Sequence, residues 1–330
     1  MKEYNVAVVG ATGLVGRMFL TVLEEYNFPI KELRLLASKK SAGKKICFRN
    51  TLYTVNELNE DSFENIDFAL FSAGGDVSKK YAKLASDAGA VVIDNSSAFR
   101  QDMDVPLVTP EVNLEDVKWN KGIIANPNCS TIQSIIPLKA LYDRFGISRI
   151  VYTTYQAVSG SGIRGLNDLD NTIKGLKNEF YPYPIAQTCI PEIDIPLDND
   201  YTKEEMKMVL ETRKMLHDDN IKISATCVRV PIKRSHAVSI LVELKKDFTI
   251  DEVIDAFRKM ENVVVLNDLK NHIYPVATKS TGNDKVYVGR IRRDLSSDNG
   301  LLFYCVADNT RRGAASNAVL IAKKMIEMGV

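Results

Sequence analysis

Val8-Val9-Gly10-Ala11-Thr12-Gly13-Leu14-Val15-Gly16 carries the reading of this 330-residue chain. Its three glycines recur at every third position, directly after the apolar run Tyr4–Val9 and at the head of a helical run, Val15–Tyr26. Glycine lets a backbone turn tightly and come close to a pyrophosphate, and a helix amino terminus adds free N–H groups and partial positive charge. G-x-x-G-x-x-G is a variant of the commoner dinucleotide fingerprint. Its place at a first strand-to-helix turn is what gives it weight. Gly10, Thr12, Gly13, Leu14 and Val15 are therefore the expected cradle of a dinucleotide; the alternative is a tight turn with no ligand.

Outward from this turn, short apolar runs alternate with helical stretches. Strands are expected at Tyr4–Val9, Leu33–Ala37, Phe68–Ser72, Ala90–Asp94 and Gly122–Ala125, with a further helix at Val77–Ala88. The runs are apolar at both odd and even positions, as befits strands buried on both faces of a parallel sheet. The pattern predicts βαβ units and a doubly wound, Rossmann-like α/β domain. The end of the second strand reads Leu36-Ala37-Ser38-Lys39-Lys40-Ser41-Ala42-Gly43-Lys44. No carboxylate stands where a ribose-binding Asp or Glu belongs. Ser38, Lys40 and Ser41 would instead donate to a 2′-phosphate, which favours NADP over NAD.

After Gly146 the pattern changes to longer alternating runs: Arg149–Ala157, Lys222–Val230, Ala237–Leu244, Lys285–Ile291 and Leu301–Ala307. Alternation predicts a sheet with one covered face in an α+β second domain. Between Gly160 and Tyr201, Pro182, Pro184, Pro191 and Pro196 mark an excursion after a helix near Asn167–Leu176. Thr202 and Glu205 form a capping box at the start of a helix running to Leu216. Gly313–Met328 reads as an amphipathic helix that the pattern alone assigns to neither domain.

Forty-three basic and forty-two acidic side chains leave a net charge of +1, with 45% apolar residues. Such a balance offers no general field for nucleic acid or an anionic membrane. No apolar run approaches the ~18 residues of a membrane span. The amino terminus lacks a signal-peptide core, and cysteines 47, 129, 189, 227 and 305 contain no C-x-x-C pair. Structural disulfides are not expected, and the cytoplasm is. Histidines 217, 236 and 272 pair with no cysteine or histidine at ligand spacing, so no metal site is expected.

Asn126-Pro127-Asn128-Cys129-Ser130-Thr131 follows the last strand of the first domain and precedes the apolar helical run Ile132–Leu141. Cys129 thus falls at a helix amino terminus, where N–H groups favour the thiolate that acyl and aldehyde chemistry needs. His236 opens an alternating strand. Arg229 lies in an otherwise apolar or small run, where a guanidinium needs an anion, either a ligand carboxylate or an internal ion pair.

The pairing of Gly10-Ala11-Thr12-Gly13 with Pro127-Asn128-Cys129-Ser130-Thr131 resembles the aspartate-β-semialdehyde dehydrogenase family, in its bacterial branch. Further pieces match in order: Ser97–Arg100, Tyr155–Gly160, Glu211–Lys214, Cys227–Pro231 and Ser235-His236. Lys40 departs from the arginine that many members carry there. The compact Gly160–Pro191 region is a second departure. The resemblance implies a Cys129 nucleophile, His236 as acid/base, Gln156 orienting the acyl group, and Asn128 beside thiol and nicotinamide. It implies Arg229 for the substrate carboxylate, Glu211 for its ammonium, and Arg100 with Lys214 for phosphate. Ser159, Gly160 and Asn309 are implied cofactor contacts.

Residues 1–128 with 309–330 would then form the NADP-binding domain, and 129–308 the catalytic and dimerisation domain of a homodimer. The implied reaction interconverts L-aspartate 4-semialdehyde and L-aspartyl 4-phosphate through a cysteine thioester, for lysine, diaminopimelate, threonine and methionine biosynthesis. The alternatives are another acyl-phosphate reductase, such as N-acetyl-glutamyl-phosphate reductase, or a non-catalytic nucleotide sensor. For Glu211 and Lys214 the alternative is a solvated helix stripe.

Overall fold

The computed structural model describes residues 2–330. The chain divides into two units, one running to Pro127 and resuming at Ala314–Val330, the other Asn128–Gly313. The first crossing falls one residue earlier than the resemblance implies, and the second five residues later, the latter for a physical reason. The buried carboxylate of Asp308 accepts from Arg234 and from the N–H groups of Gly282, Thr310 and Arg311, while Arg311 forms an ion pair with Asp284. These bonds hold residues 309–313 in the second unit.

In the first unit the strands are β1 (Tyr4–Val9), β2 (Ile30–Ala37), β3 (Lys45–Phe48), β4 (Thr51–Glu57), β5 (Phe68–Phe71), β6 (Val91–Asp94) and β7 (Ile123–Ala125). They form one sheet in the order β3-β4-β2-β1-β5-β6-β7, and every pairing is parallel except the β3/β4 hairpin. Helices α1 (Leu14–Glu25), α2 (Gly75–Asp87) and α3 (Pro110–Asn113) accompany them, with a C-terminal helix at Ser316–Met328.

The two faces of β1 show why the sheet is doubly wound. Val6 and Val8 pack with Phe19 and Leu23 of α1 and with Val319 and Ala322 of the C-terminal helix. Ala7 and Val9 face the other way, toward Phe71 and toward Ala82 and Ala85 of α2. Each fully buried Val or Phe contributes roughly 1.5–3 kcal/mol, so both faces must be covered. β1 lies between β2 and β5, where strand order reverses, and such a switch point is where open α/β sheets bind ligands. The glycine turn stands there. A Cβ on Gly16 would sit 2.1 Å from the Gly10 carbonyl oxygen, so only glycine lets α1 start so close to the turn.

The second unit comprises α4 (Cys129–Phe145), β8 (Ile147–Gln156), α5 (Gly162–Ile173), α6 (Lys203–Leu216), β9 (Lys222–Arg229), β10 (His236–Leu244), α7 (Ile250–Lys259), β11 (Val263–Val265), α8 (Ala277–Ser280), β12 (Val286–Arg293) and β13 (Gly300–Ala307). Its mixed sheet has the order β11-β12-β13-β10-β8-β9. One face is covered by α4, α6 and α7 and buries Tyr152, Val238, Ile240 and Phe303. On the other face Val151, Thr153 and Tyr304 stay half-buried and Tyr155 is exposed.

Helix α5 starts five residues before the expected Asn167. The excursion beyond it is ordered by its own small core of Val158, Leu169, Tyr181, Ile185 and Ile190. The buried Asp168 carboxylate fixes its return by accepting from the N–H groups of Glu179 and Tyr181. The last helix begins at Ser316, after a π-helical turn at Arg311–Ala315, and belongs to the first unit.

Candidate active site

Strand register brings the second unit's functional side chains to one end of its sheet. β8 and β9 run parallel and end in register, Gln156 beside Arg229. β10 runs antiparallel to β8 and starts where β8 stops, which places His236 at the same end. His236 also pairs with Ala307, the last residue of β13, so Asp308–Gly313 leaves the sheet there as well. Gln133 of α4 donates to the His236 carbonyl at 3.1 Å and ties the cysteine-bearing helix to β10.

Cys129 is the first residue of α4 and half-buried. Asn128 caps the helix, its Oδ1 accepting from the N–H groups of Ser130 at 2.9 Å and Thr131 at 3.4 Å. The backbone N–H of Asn128 itself donates to Glu211 Oε2 at 2.6 Å. The helix amino terminus favours negative charge on the sulfur. The other thiols lie in different settings. Burial, then the Glu204 charge, pushes the Cys227 thiol up, and burial pushes Cys305 up to about 12. Cys47 and Cys189 are exposed.

His236 is wholly buried, and its Nδ1 accepts from the Ala157 N–H at 2.9 Å. A neutral ring therefore carries its proton on Nε2, and that buried atom has no partner among the described residues. Burial, then the charge of Arg229, lowers the imidazole to about 3, against a smaller opposing pull from Glu204. The ring is neutral at pH 7. Arg229 is 4% exposed and donates to the Ala157 carbonyl at 2.7 Å. Among the described residues no carboxylate forms an ion pair with it, so the internal salt bridge is excluded.

Two glycines keep this region open. A Cβ on Gly160 would lie 2.8 Å from Arg229 Nη1 and 3.1 Å from His236 Nε2. One on Gly313 would lie 2.8 Å from Cys129 Cβ and 3.2 Å from its Cα.

Helix α6 supplies carboxylates from one buried side. Its capping box is formed as expected, and Glu205 reaches on to the Cys227 N–H at 3.0 Å. Glu204, Glu205 and Glu211 are all buried, so the solvated stripe is excluded; Lys214 is half-buried. Ser159 Oγ donates to Asn309 Oδ1 at 3.1 Å, and the Ser235 N–H shares that acceptor at 2.9 Å.

The remaining expected residues belong to the first unit. Val9, Gly10, Thr12, Gly13, Ala37, Ser38, Leu58, Ser72, Ala73, Val77 and Tyr81 line a cavity of about 410 Å³. None of them is acidic. Leu14 and Val15 are the first two residues of α1 and are not among the residues that line the cavity. Thr12 Oγ1 meets Ser41 Oγ at 3.4 Å, joining the glycine turn to the Lys39–Ser41 turn that carries Lys40. Arg100 is buried, its guanidinium donating to the carbonyls of Asn126 and Asn95 at 2.9 Å each.

Residues 5–120 match the family described as semialdehyde dehydrogenase, NAD binding domain, and residues 138–312 the semialdehyde dehydrogenase dimerisation domain. The chain is 51% identical over 337 residues to the aspartate-semialdehyde dehydrogenase of Aquifex aeolicus (strain VF5), covering 99% of each. It belongs to the aspartate-semialdehyde dehydrogenase family. The Campylobacter jejuni member is 48% identical, over 99% of this chain and 98% of that one. The crystal structure of aspartate semialdehyde dehydrogenase II from Vibrio cholerae, complexed with ASA, superposes with a TM-score of 0.95 at 44% identity, covering 99% of both chains. The NADP-containing structure from Candida albicans gives a TM-score of 0.77 at 26% identity over 98% of each chain.

As an aspartate-semialdehyde dehydrogenase family member the chain is an oxidoreductase of amino-acid biosynthesis with an NAD(P)-binding and a dimerisation domain. Three contributors to the site escape sequence reasoning. Glu204 looks like an ordinary acidic residue of a helix first turn. Gly313 shows only as the start of a helix. The Ala157 N–H is backbone and leaves no sequence signal.

Proposed function

We propose that this chain catalyses the NADP- and phosphate-dependent interconversion of L-aspartate 4-semialdehyde and L-aspartyl 4-phosphate, through a thioester on Cys129. The observation that carries this reading is Arg229, a buried guanidinium without a carboxylate partner among the described residues, at the sheet end that also holds His236 and Gln156. Leaving a buried charge unpaired is costly, so the site is built for an anion that arrives with the substrate. A planar guanidinium fits an α-carboxylate in two parallel hydrogen bonds. Glu211 would hold the ammonium group, and Lys214 with Arg100 the phosphoryl group.

In the biosynthetic direction the Cys129 thiolate attacks C4 of the acyl phosphate. An S–C bond forms, and the C–O bond breaks with its electron pair leaving on phosphate. The Nε2–H of neutral His236 points to donation toward the carbonyl oxygen as negative charge builds there; with Nδ1 held by the Ala157 N–H, the ring enters this step as a donor. Gln156 orients the acyl group. Asn128 acts mainly as helix cap, because both ends of its amide are engaged inside the protein.

The glycine turn fits a dinucleotide, and Gly10, Thr12, Gly13, Leu14 and Val15 would hold its pyrophosphate. Ser38, Lys40 and Ser41 beside the acid-free cavity suit a 2′-phosphate, which favours NADP. Ser159, Gly160 and Asn309 would meet the nicotinamide half. Bound NADPH supplies the hydride that takes the thioester to the aldehyde level.

The open sheet face bearing Val151, Thr153, Tyr155 and Tyr304, within the matched dimerisation domain, supports a homodimer. We place the reaction in the cytoplasm, at the start of lysine, diaminopimelate, threonine and methionine synthesis.

The test is absorbance at 340 nm with aspartate semialdehyde, NADP and phosphate, each omitted in turn. All three should be required, with NAD a poor substitute. Turnover without phosphate, or with an N-acetylated glutamyl substrate preferred, overturns the reading.

A further inference from the structure

The carboxylate of Glu204 sits beneath two of the site's amides and makes no contact that a helix cap requires. Its Oε1 accepts from Asn128 Nδ2 at 2.9 Å and from Gln156 Nε2 at 3.1 Å. Its Oε2 accepts from Lys207 Nζ at 2.9 Å, and Lys207 reaches on to Asp194 at 2.6 Å. Glu204 is 5% exposed. Burial alone would raise its carboxyl, but the Lys207 charge and the donors Asn128 and Gln156 outweigh it and bring the group to about 2. An ionised carboxylate accepts only. Turning the Gln156 amide over would set its carbonyl oxygen against that charge, whereas the arrangement found commits the nitrogen inward and leaves the oxygen as the atom to meet a ligand.

We propose that Glu204 is a positioning residue of the reaction: it fixes the amide of Gln156 in one orientation, with Asn128 held by the same oxygen. The same oxygen's bond to Asn128 reaches the cap of the helix that begins with Cys129, but the effect on rate is carried by the acyl-orienting amide. A purely structural role is the less economical account. Buried ion pairs are often replaceable by apolar residues with no loss of stability, whereas a shared acceptor for two amides is replaceable only by another acceptor. Glu204 touches neither substrate nor cofactor in this scheme. It acts through Gln156, and so rests on the role proposed above for that residue.

A double-mutant cycle in the full chain tests this, with kcat and both KM values measured for semialdehyde oxidation. Glu204→Ala should lower kcat about thirtyfold with KM for semialdehyde and NADP within about threefold, and in a Gln156→Ala background the same change should cost less than about threefold. Glu204→Gln keeps the side-chain shape and one accepting oxygen. It should restore part of the loss and repeat the non-additivity, which keeps the test decisive if the alanine variant does not fold. Losses that multiply in the Gln156→Ala background, or that appear as raised KM alone, overturn the proposal for Glu204. Gln156→Ala with the parent's kcat is a distinguishable result. It overturns the reading of Gln156 and this proposal with it.

Discussion

The cradle in the first unit is made of backbone, consecutive residues of one turn between β1 and α1. The site in the second unit is made of side chains drawn from α4, β8, α6, β9 and β10, brought together only by strand register and helix packing. The difference sets how each tolerates change. A backbone cradle depends on glycine at a few positions and lets neighbours such as Lys40 tune the ligand separately. In the convergent site each group is held by others, as Asn128 is by Glu204 and Glu211 and His236 by Ala157 and Gln133. Substitutions there should be non-additive and should leave the cradle untouched.

The sharpest break of that comparison is Cys129→Ala. It should reduce turnover by at least about a thousandfold, because no other group supplies the covalent step. NADP affinity measured by calorimetry should stay within about twofold of the parent, since the turn and its cavity contain no part of α4. Loss of NADP binding together with turnover would show that the two sites are not separable. Cys47 and Cys189, both exposed, should tolerate serine.

Gly313→Ala is next. The added methyl would press on the Cβ and Cα of Cys129, at 2.8 and 3.2 Å, and backbone cannot yield as a flexible side-chain end can. A displacement of about 1 Å at a reacting atom costs on the order of a hundredfold in rate, so kcat should fall by about that factor with NADP binding retained. An unchanged kcat would mean that the first turn of α4 relaxes freely.

What the sequence makes legible follows the same division. The first sheet's parallel strands announce themselves as apolar runs between helices, and β1 is found where the pattern sets it, Tyr4–Val9. The β3/β4 hairpin escapes because its turn, Arg49-Asn50, takes left-handed φ of 46° and 61° without the glycine that marks most such turns. In the second unit the capping box names Thr202 and Glu205, both locally bonded, but nothing local separates Glu204 from its neighbour. Its partners lie 76 and 48 residues away along the chain, and only the fold brings them in. The same holds for Asp308–Gly313, which reads as a lead-in to the last helix and is instead pinned by Arg234 and Asp284. Local pattern reveals elements and caps; convergence belongs to tertiary structure.

Lys40→Glu probes the tunable side of the comparison. A charge-assisted hydrogen bond contributes roughly 1.5–3 kcal/mol, so the change should weaken NADP about ten- to a hundredfold while NAD binding holds or improves. Calorimetry with both nucleotides checks it, and kcat with saturating cofactor should stay near the parent's. A parallel loss for NAD and NADP would place the 2′-phosphate elsewhere.

The smallest expected effect concerns acid stability, and it falls on the convergent unit alone. Burial and then the Arg229 charge hold His236 at about 3, whereas the unfolded chain returns it to about 6.5. Between these values the unfolded chain binds the proton and the folded one does not. Acid therefore favours unfolding, and the stability is complete above about pH 6.5 and is lost as pH falls toward 3. From pH 7 to 5.5 the loss amounts to about 1 kcal/mol for this one ring. Glu204, depressed to about 2, acts in the same sense, but its stabilisation begins to be lost only below its unfolded value of about 4.3. It stays silent in this window. His217 and His272 are exposed and unchanged between the proteins compared. Replacing the ring in His236→Gln removes the titration, so its thermal midpoint should fall about 2–4 °C less than the parent's between pH 7 and 5.5. Parallel shifts in the two proteins would mean that the buried imidazole gains access to protons without unfolding, and the convergent site would then be looser than its hydrogen bonds describe.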